Sequence, residues 1–131
     1  MLFRSSIHLS AEISSGVITK IDQFFFECIV SNLLDNALKY AGQNASINVE
    51  LVTQDTFLLF TISDNGPGIP DAEKKMVFKK FYRSGNEETR SQKGSGLGLY
   101  IVSELVRLQK GTIQLSASTN GGAKFQVTLP L

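Results

Sequence analysis

The longest periodic run of apolar side chains begins just after Asp22. Seven apolar side chains recur there at the i, i+3, i+4, i+7 spacing that gathers them on one face of an α-helix. They are Phe26, Ile29, Val30, Leu33, Leu34, Ala37 and Ala41. Because Asp22 is a good N-cap residue and Gly42 commonly ends a helix, the pattern predicts a helix of about five turns between them.

Strands are predicted where apolar and polar side chains alternate, or where short β-branched runs end in turn residues. Six segments qualify: residues 3–9, 17–21, 47–51, 57–63, 112–117 and 123–129. The third and fourth segments flank a polar turn at residues 53–56. The last two flank Asn120, Gly121 and Gly122, which form a strong hairpin signal.

A second helix is predicted to open at the glycine-rich residues 94–98 and to end near Gly111. Its apolar stripe is expected to consist of Leu97, Ile101, Leu105 and Leu108. A short helix around residues 72–78 precedes a long irregular stretch up to Lys93, and such stretches in compact domains are commonly functional lids. Because strands and helices do not alternate one by one, the order predicts an α+β two-layer sandwich with helices covering one sheet face.

Composition narrows the class of protein. A chain of 131 residues is close to one average domain, and its 42% hydrophobic content excludes a disordered chain. No apolar run reaches about 18 residues, so a soluble chain without a membrane span is expected. The net charge of +1 argues against a protein that holds nucleic acid by neutralising its phosphates. A single cysteine, Cys28, and the lack of a signal-peptide pattern favour a reducing, cytoplasmic setting.

Polar side chains interrupt the first predicted helix. Asn32, Asn36 and Lys39 are spaced to share one narrow face, roughly opposite the apolar stripe, with Tyr40 at its edge. Asparagine is a mediocre helix former, so two in mid-helix lower local stability without an obvious structural gain. A solvated polar face is the simpler interpretation. The alternative is a ligand site, because an amide oxygen suits Mg²⁺ and Lys39 would lie one turn away.

Asp64 stands at the end of a hydrophobic predicted strand and is followed by glycines that let a flat ligand approach the backbone. An ionised carboxylate only accepts hydrogen bonds, so Asp64 could accept one from an exocyclic amine such as that of adenine. The alternative is a turn at residues 65–68 that Asp64 merely caps. The residues alone favour neither.

The glycines of residues 94–98 supply main-chain N–H groups at a predicted helix N-terminus, which attracts phosphate. Their spacing is neither that of a Walker A loop nor that of a Rossmann fingerprint. A glycine-rich loop alone is therefore weak evidence.

In this order, the motifs resemble the nucleotide-binding domain of histidine protein kinases, in the Bergerat superfamily of gyrase, Hsp90, histidine kinase and MutL. Residues 32–40 resemble its N box, 64–68 its G1 box, 78–83 its F box, 94–99 its G2 box and 121–125 its last glycine motif. The resemblance covers about residues 17 to 131 and implies the Bergerat fold, with a mixed, mainly antiparallel sheet. It identifies residues 1–131 as one ATP-binding catalytic domain, with an ATP lid at residues 78–93.

The resemblance also implies ligands and roles. ATP and Mg²⁺ are the expected cofactors, with Asn36 holding the metal and Asp64 reading the adenine N6 amine. Asn32, Lys39 and Arg83 are expected to act in catalysis, Arg83 by neutralising charge on the γ-phosphoryl group. The full expected nucleotide-binding set is Asn32, Asn36, Lys39, Tyr40, Asp64, Gly66, Gly68, Ile69, Gly94, Ser95, Gly96, Leu97, Gly98 and Leu99.

The implied reaction is phosphoryl transfer to a histidine on the dimerisation and phosphoacceptor helices of the same kinase, which serve a response regulator in turn. No nucleic acid and no membrane contact is expected of this chain, although an inner-membrane anchor elsewhere in a longer protein is compatible with the resemblance. His8 is expected to be an ordinary strand residue and not the acceptor.

Two departures from the family pattern stand out. Lys79 and Lys80 replace the acidic residue often found in the F box, and Ala123 stands where threonine is frequent, so no adenine contact is assigned to Ala123. Three alternatives stay open: an ATPase of the same fold, a serine-directed kinase of the anti-sigma type, and a non-catalytic nucleotide-binding docking module. Hydrolytic relatives place a glutamate one helical turn before the metal-binding asparagine, where this chain has Asn32, so the histidine kinase is favoured.

Overall fold

The computed structural model describes residues 8–13, 21–41, 44–82, 97–119 and 121–131. In these segments two helices pack on one face of a five-stranded sheet. The strands are β1 His8–Ile13, β2 Ser46–Gln54, β3 Phe57–Asp64, β4 Thr112–Ala117 and β5 Ala123–Pro130, and the helices are α1 Gln23–Ala41 and α2 Gly98–Leu108. The predicted α+β two-layer sandwich is confirmed.

The sheet has the strand order β1-β2-β3-β5-β4. β1 runs parallel to β2, and the other neighbouring pairs are antiparallel. β3 and β5 lie side by side near the centre, and side chains along both alternate between buried and more exposed positions. Only one face of these strands packs against the helices, so apolar side chains occur at every second position of their sequences.

The hydrophobic core fills the space between the sheet and the helices. Ile29, Leu33 and Val102 have 0% exposed surface and belong to one cluster with strand residues such as Phe60 and Val127. Burying a side chain of this kind stabilises a fold by about 1.5–3 kcal/mol. α1 also contacts α2, so the two helices form one layer.

α1 begins where the sequence predicts. The carboxylate Oδ1 of Asp22 accepts a hydrogen bond from the Phe25 N–H at 3.1 Å, and the Asp22 carbonyl accepts one from the Phe26 N–H at 3.0 Å. The side-chain bond satisfies an N–H group that has no partner within the helix. The helix is 19 residues long, so the predicted five turns are confirmed. Gly42 lies outside the described residues.

The first two predicted strands are tested only at their C-terminal ends. The strand predicted at 3–9 is confirmed at residues 8 and 9 and continues to Ile13 as β1. The strand predicted at 17–21 is wrong at Ile21, which lies in a bend before α1. Residues 3–7 and 17–20 lie outside the described residues. β1 extends to Ile13 because β2 pairs with it as far as Leu51, and local alternation does not report such long-range pairing.

The short helix predicted around residues 72–78 is also wrong in extent. Asp71–Glu73 forms a single 3-10 turn, and turns follow it. Val77 is the one buried side chain among residues 71–82. A longer helix there has no apolar face to bury, so tertiary packing does not support it.

The predicted apolar stripe of α2 is wrong in register. Ile101 and Leu108 are 39% and 57% exposed, whereas Val102 and Val106 are buried. Leu105 is partly buried against the core, as expected. The helix carries apolar side chains on more than one face, and its packing against α1 and β4 selects which face is buried.

Candidate functional site

Asp64 ends β3 and is the one buried charged or polar side chain in the described part of the chain, with 6% exposure. Its Oδ1 accepts hydrogen bonds from the main-chain N–H groups of Gly66, at 2.9 Å, and Ala123, at 3.2 Å. Charge-assisted bonds of this type fix a carboxylate firmly. Ala123 contributes only a main-chain group, so the absence of a threonine hydroxyl there leaves this contact intact.

The second carboxylate oxygen of Asp64 has a different environment. Both side-chain hydrogen bonds go to Oδ1, and none from the described residues goes to Oδ2. No fully buried side-chain oxygen or nitrogen of the described residues lacks a partner, so Oδ2 is reached by solvent. Asp64 therefore caps the turn with one oxygen and presents the other as a hydrogen-bond acceptor. The two interpretations of this motif left open by the sequence are both compatible with the geometry.

Glycine residues allow two loops to close around Asp64. A Cβ on Gly122 would lie 2.0 Å from the Asp64 carbonyl oxygen and 2.4 Å from Oδ1. Gly68 has a φ of +78°, and a Cβ there would lie 2.9 Å from the Gly121 carbonyl oxygen. Any side chain at these positions meets main chain, so the hairpin and the loop after β3 require glycine.

Asn65 has a structural role that the sequence did not reveal. Its Oδ1 accepts a hydrogen bond from the Ser46 N–H at 2.8 Å, and its Nδ2 donates to the Asn44 carbonyl at 3.4 Å. These bonds tie the end of β3 to the start of β2. The partners lie about twenty residues away in sequence, so only the strand register could have indicated them.

Asn32 faces the start of α2. Its Nδ2 donates a hydrogen bond to the Cys28 carbonyl at 2.8 Å, and its Oδ1 lies 3.2 Å from the position that a Cβ on Gly98 would occupy. The structure therefore brings the first and the fourth sequence motifs together. Asn32 and Asn36 are half-buried, and around the helix axis they lie about 60° and about 20° from the buried Ile29, not opposite it. The expected solvated face is thus a flank of the packed stripe.

Asn36 lies one turn beyond Asn32. Its side chain is half-buried, and within the described part of the chain its amide makes no hydrogen bond. Lys39 follows on the same side of α1 and is exposed. The side chain of Tyr40 lies outside the described set.

The glycine-rich motif leads into α2. Leu97 precedes the helix as its N-cap residue, and an apolar side chain cannot satisfy the first helical N–H groups. Gly98 and Leu99 form the first turn, so part of the predicted phosphate-binding motif is confirmed as a helix N-terminus. Gly94, Ser95, Gly96 and residues 83–93 of the predicted lid, including Arg83, lie outside the described residues.

The F-box segment packs against both layers. Phe78 meets Phe125 of β5 edge to face, with ring centroids 6.0 Å apart. The Lys80 ammonium lies 5.3 Å from the ring centre of Phe81 and 5.9 Å from that of Tyr100 on α2. Lys80, next to the Lys79 that stands in place of the acidic residue, therefore makes cation–π contacts.

A surface ion pair lies in the segment after the Asp64–Gly68 loop. Lys74 lies 2.6 Å from Asp71, and its hydrogen bond and charge lower the pKa of that carboxyl. Asp71 is exposed, so the pair adds little to stability.

In the described segments no group of three or more His, Cys, Asp or Glu is placed to hold a metal ion. No helix within those segments has the length and apolar character needed to cross a membrane.

Comparison with known families decides the relationship. Residues 21–131 match the family of histidine kinase-, DNA gyrase B- and HSP90-like ATPases. The chain belongs to this family. Asn32, Asp64 and Gly98 all lie inside the matched range. The resemblance drawn from the sequence motifs is confirmed.

Within the family, this ATPase domain is similar to sensor histidine kinases. The sensor histidine kinase TmoS of Ectopseudomonas mendocina is 42% identical over 129 residues, which cover 98% of this chain and 13% of TmoS. The mycobacterial sensor histidine kinase MprB has a solved structure with 32% identity and a TM-score of 0.79, covering 97% of this chain and 83% of that one. A full-length ShkA structure in complex with AMPPNP has 26% identity and a TM-score of 0.80, covering 96% of this chain and 26% of that one.

Replacement of Gly98 by alanine should separate stability from nucleotide binding in this ATPase domain. The new methyl group would push the Asn32 amide aside, since only 3.2 Å separates them. Alanine in place of glycine stabilises a fold by about 0.4–1 kcal/mol where the backbone permits it, because it restricts the unfolded chain, and this offsets the displacement in the free energy of unfolding. We expect a melting temperature near that of the parent and a roughly three- to tenfold weaker affinity for ADP. Calorimetry that finds parental ADP affinity would contradict a role for the Asn32–Gly98 contact.

Proposed function

We propose that this domain binds Mg-ATP and transfers the γ-phosphoryl group to a histidine on a separate dimerisation domain in two-component signalling. The observation that carries the proposal is the asymmetric Asp64 carboxylate. Main-chain N–H groups hold Oδ1, while Oδ2 faces solvent beside glycines that admit a flat base. A fixed acceptor of this kind suits the N6 amine of adenine.

The base site is proposed to extend from Asp64 along the loop that follows it. Gly66, Gly68 and Ile69 would lie beside the adenine ring. Gly68 adopts a backbone conformation that side chains rarely allow, and Ile69 packs partly against the core. A rigid, mostly apolar wall with one polar anchor is the common form of a small-molecule site.

The phosphates are proposed to lie between α1 and the start of α2. The open amide of Asn36 fits Mg²⁺, which usually takes one or two protein ligands and completes its shell with phosphate oxygens and water. Bound Mg²⁺ would neutralise charge that develops on the phosphate oxygens. Lys39 and Tyr40 would meet the phosphates from α1, and the N–H groups of residues 94–99 would meet them from α2. Arg83 is proposed to add a cation from the lid at residues 78–93.

Asn32 favours transfer to an acceptor over hydrolysis. An amide is not a base, and the Asn32 side chain is already tied to the Cys28 carbonyl. The domain therefore lacks at this position a carboxylate that could activate water. In the proposed reaction an imidazole nitrogen of the acceptor attacks the γ-phosphorus, the bond to the bridging oxygen breaks, and ADP leaves. The role of Asn32, Lys39 and Arg83 is to orient the phosphates and offset their charge.

The proposed partners follow from this reaction. The acceptor histidine would lie on the dimerisation helices of the same kinase, and a response regulator would receive the phosphoryl group from it. The proposed setting is the cytoplasm.

The chain spans about 13% of the length of its relative TmoS. The dimerisation helices with the acceptor histidine would therefore belong to a longer protein.

Radiolabelled ATP tests the proposal directly. The domain is mixed with Mg²⁺, γ-labelled ATP and a histidine-bearing dimerisation segment of a sensor kinase, and labelled phosphate on the segment is followed over time. We expect label that is lost in acid, because a phosphorus–nitrogen bond is acid-labile. A segment with the histidine changed to glutamine serves as the control and should stay unlabelled.

The same assay distinguishes the alternatives. Acid-stable label on serine would indicate a serine-directed kinase, and rapid phosphate release by the domain alone would indicate an ATPase. Binding of ATP without transfer or release, with several acceptor segments, would indicate a docking module. Any of these results would overturn the proposed histidine kinase activity.

A further inference from the structure

Ser118 lies at the corner where the β4–β5 hairpin meets the end of β3. Its hydroxyl donates a hydrogen bond to the main-chain carbonyl of Asp64 at 2.8 Å and accepts one from the Gly122 N–H at 3.0 Å. A single hydroxyl thus joins two main-chain groups that come from opposite sides of the site. The side chain is half-buried, which limits competition from water.

The strand register explains why a side chain is needed at this corner. The β3–β5 ladder ends at the pair of Ser63 and Lys124, and the β4–β5 ladder ends at the pair of Ala117 and Ala123. Asp64 still pairs with Ile47 of β2, but it lies one residue past the end of the β3–β5 ladder. At this point, beyond the last β3–β5 pair, the Asp64 carbonyl accepts its hydrogen bond from the Ser118 hydroxyl.

The bridge also sets the position of the Asp64 side chain. The bond from the Ala123 N–H to Oδ1 is 3.2 Å long, at the upper end of the normal range. Ala123 follows Gly122 directly, so the Ser118–Gly122 bond controls how close this donor comes. A small outward shift of the hairpin would break the bond and let the carboxylate rotate.

We propose that Ser118 is a positioning residue that fixes the Asp64 carboxylate for adenine and so determines the choice of base. The inference deepens the proposed function and depends on it. Ser118 does not itself touch the nucleotide. It acts through the main chain, because its two hydrogen bonds hold the hairpin against Asp64 while Oδ2 is left for the N6 amine.

Two nucleotides that differ at one position of the base test this role. ADP carries the N6 amine, whereas IDP carries a carbonyl oxygen there and cannot donate to Asp64. Calorimetry on the parent domain should show tighter binding of ADP than of IDP. S118A should weaken ADP binding roughly three- to tenfold and IDP binding less than about twofold, because only the amine depends on the carboxylate orientation.

Three further variants complete the experiment. S118T keeps the hydroxyl and should retain the parental preference for ADP over IDP. S116A removes a hydroxyl from an exposed position in β4, two residues before Ser118, and should change neither affinity. If a thermal melt shows that S118A is not folded, S118C is used instead, because cysteine is similar in volume and is only a weak donor. Its preference for ADP over IDP should be smaller than that of the parent.

A merely structural serine gives a different result. Equal losses for ADP and IDP in folded S118A, or unchanged ADP affinity, would overturn the inference while leaving the proposed function in place. A parent domain that binds ADP and IDP equally would contradict Asp64 as the adenine reader, and the role of Ser118 would fall with it.

Discussion

Replacement of Asn36 by alanine should reduce Mg²⁺-dependent phosphoryl transfer by at least about a hundredfold, while ADP affinity falls only a few-fold. The reason is that the proposed metal ligand matters most when charge moves during transfer, and metal charge compensation contributes several kcal/mol there. The contacts of the base at Asp64 and of the phosphates at α2 survive the change. Single-turnover transfer at saturating ATP and Mg²⁺, together with ADP calorimetry, measures both quantities.

Asp35→Ala is the matched control for this prediction. It removes an oxygen-bearing side chain from the preceding position of α1, where the side chain is exposed. Its transfer rate should stay within about twofold of the parent, as surface substitutions usually have small effects. A parental rate in Asn36→Ala would remove Asn36 from the metal site.

Asp64→Asn should weaken ADP and ATP binding by the same factor, roughly 5- to 150-fold, and improve the relative binding of IDP. The Gly66 and Ala123 N–H groups both need an acceptor, so the amide oxygen must take the place of Oδ1. The amide NH₂ then occupies the open position and opposes the adenine amine, leaving a donor unpaired at about 1–3 kcal/mol. The hypoxanthine carbonyl of IDP, by contrast, can accept from it.

The control for Asp64→Asn is the same substitution at Asp71, whose carboxyl is exposed and paired with Lys74. Asp71→Asn should leave the affinities for all three nucleotides unchanged. Calorimetry that finds ADP binding to Asp64→Asn within twofold of the parent would reject Asp64 as the adenine reader. Unequal losses for ADP and ATP would place its contact near the phosphates instead.

Most of the fold could be predicted because its main elements carry strong local patterns. α1 combines a regular apolar stripe with a capping aspartate, and β3 and β5 alternate along their length. α2 shows the limit. Ile101 and Val102 are both apolar, and only the packing of the helix decides that Val102 is buried and Ile101 is not.

The candidate site was predictable as a set of residue types but not as a set of contacts. Asp64 stands out because a carboxylate ends an apolar strand, and Asn32 because asparagine is unusual in mid-helix. The bonds that Asp64 makes to Ser118 and Ala123 span 54 and 59 residues. They depend on the register of β3, β4 and β5, which no local pattern specifies.

The two donors to Asp64 Oδ1 differ in how they arise during folding. The Gly66 N–H is two residues away and can form its bond as soon as the turn exists, whereas the Ala123 N–H arrives only when the last strand has paired with β3. Contacts of such long sequence separation form late, since loop closure must come first. A ribosome therefore synthesises the chain through β5 before the carboxylate is locked. The proposed nucleotide site thus depends on the completed β3–β5 pairing, and nucleotide binding would report that β5 is in place.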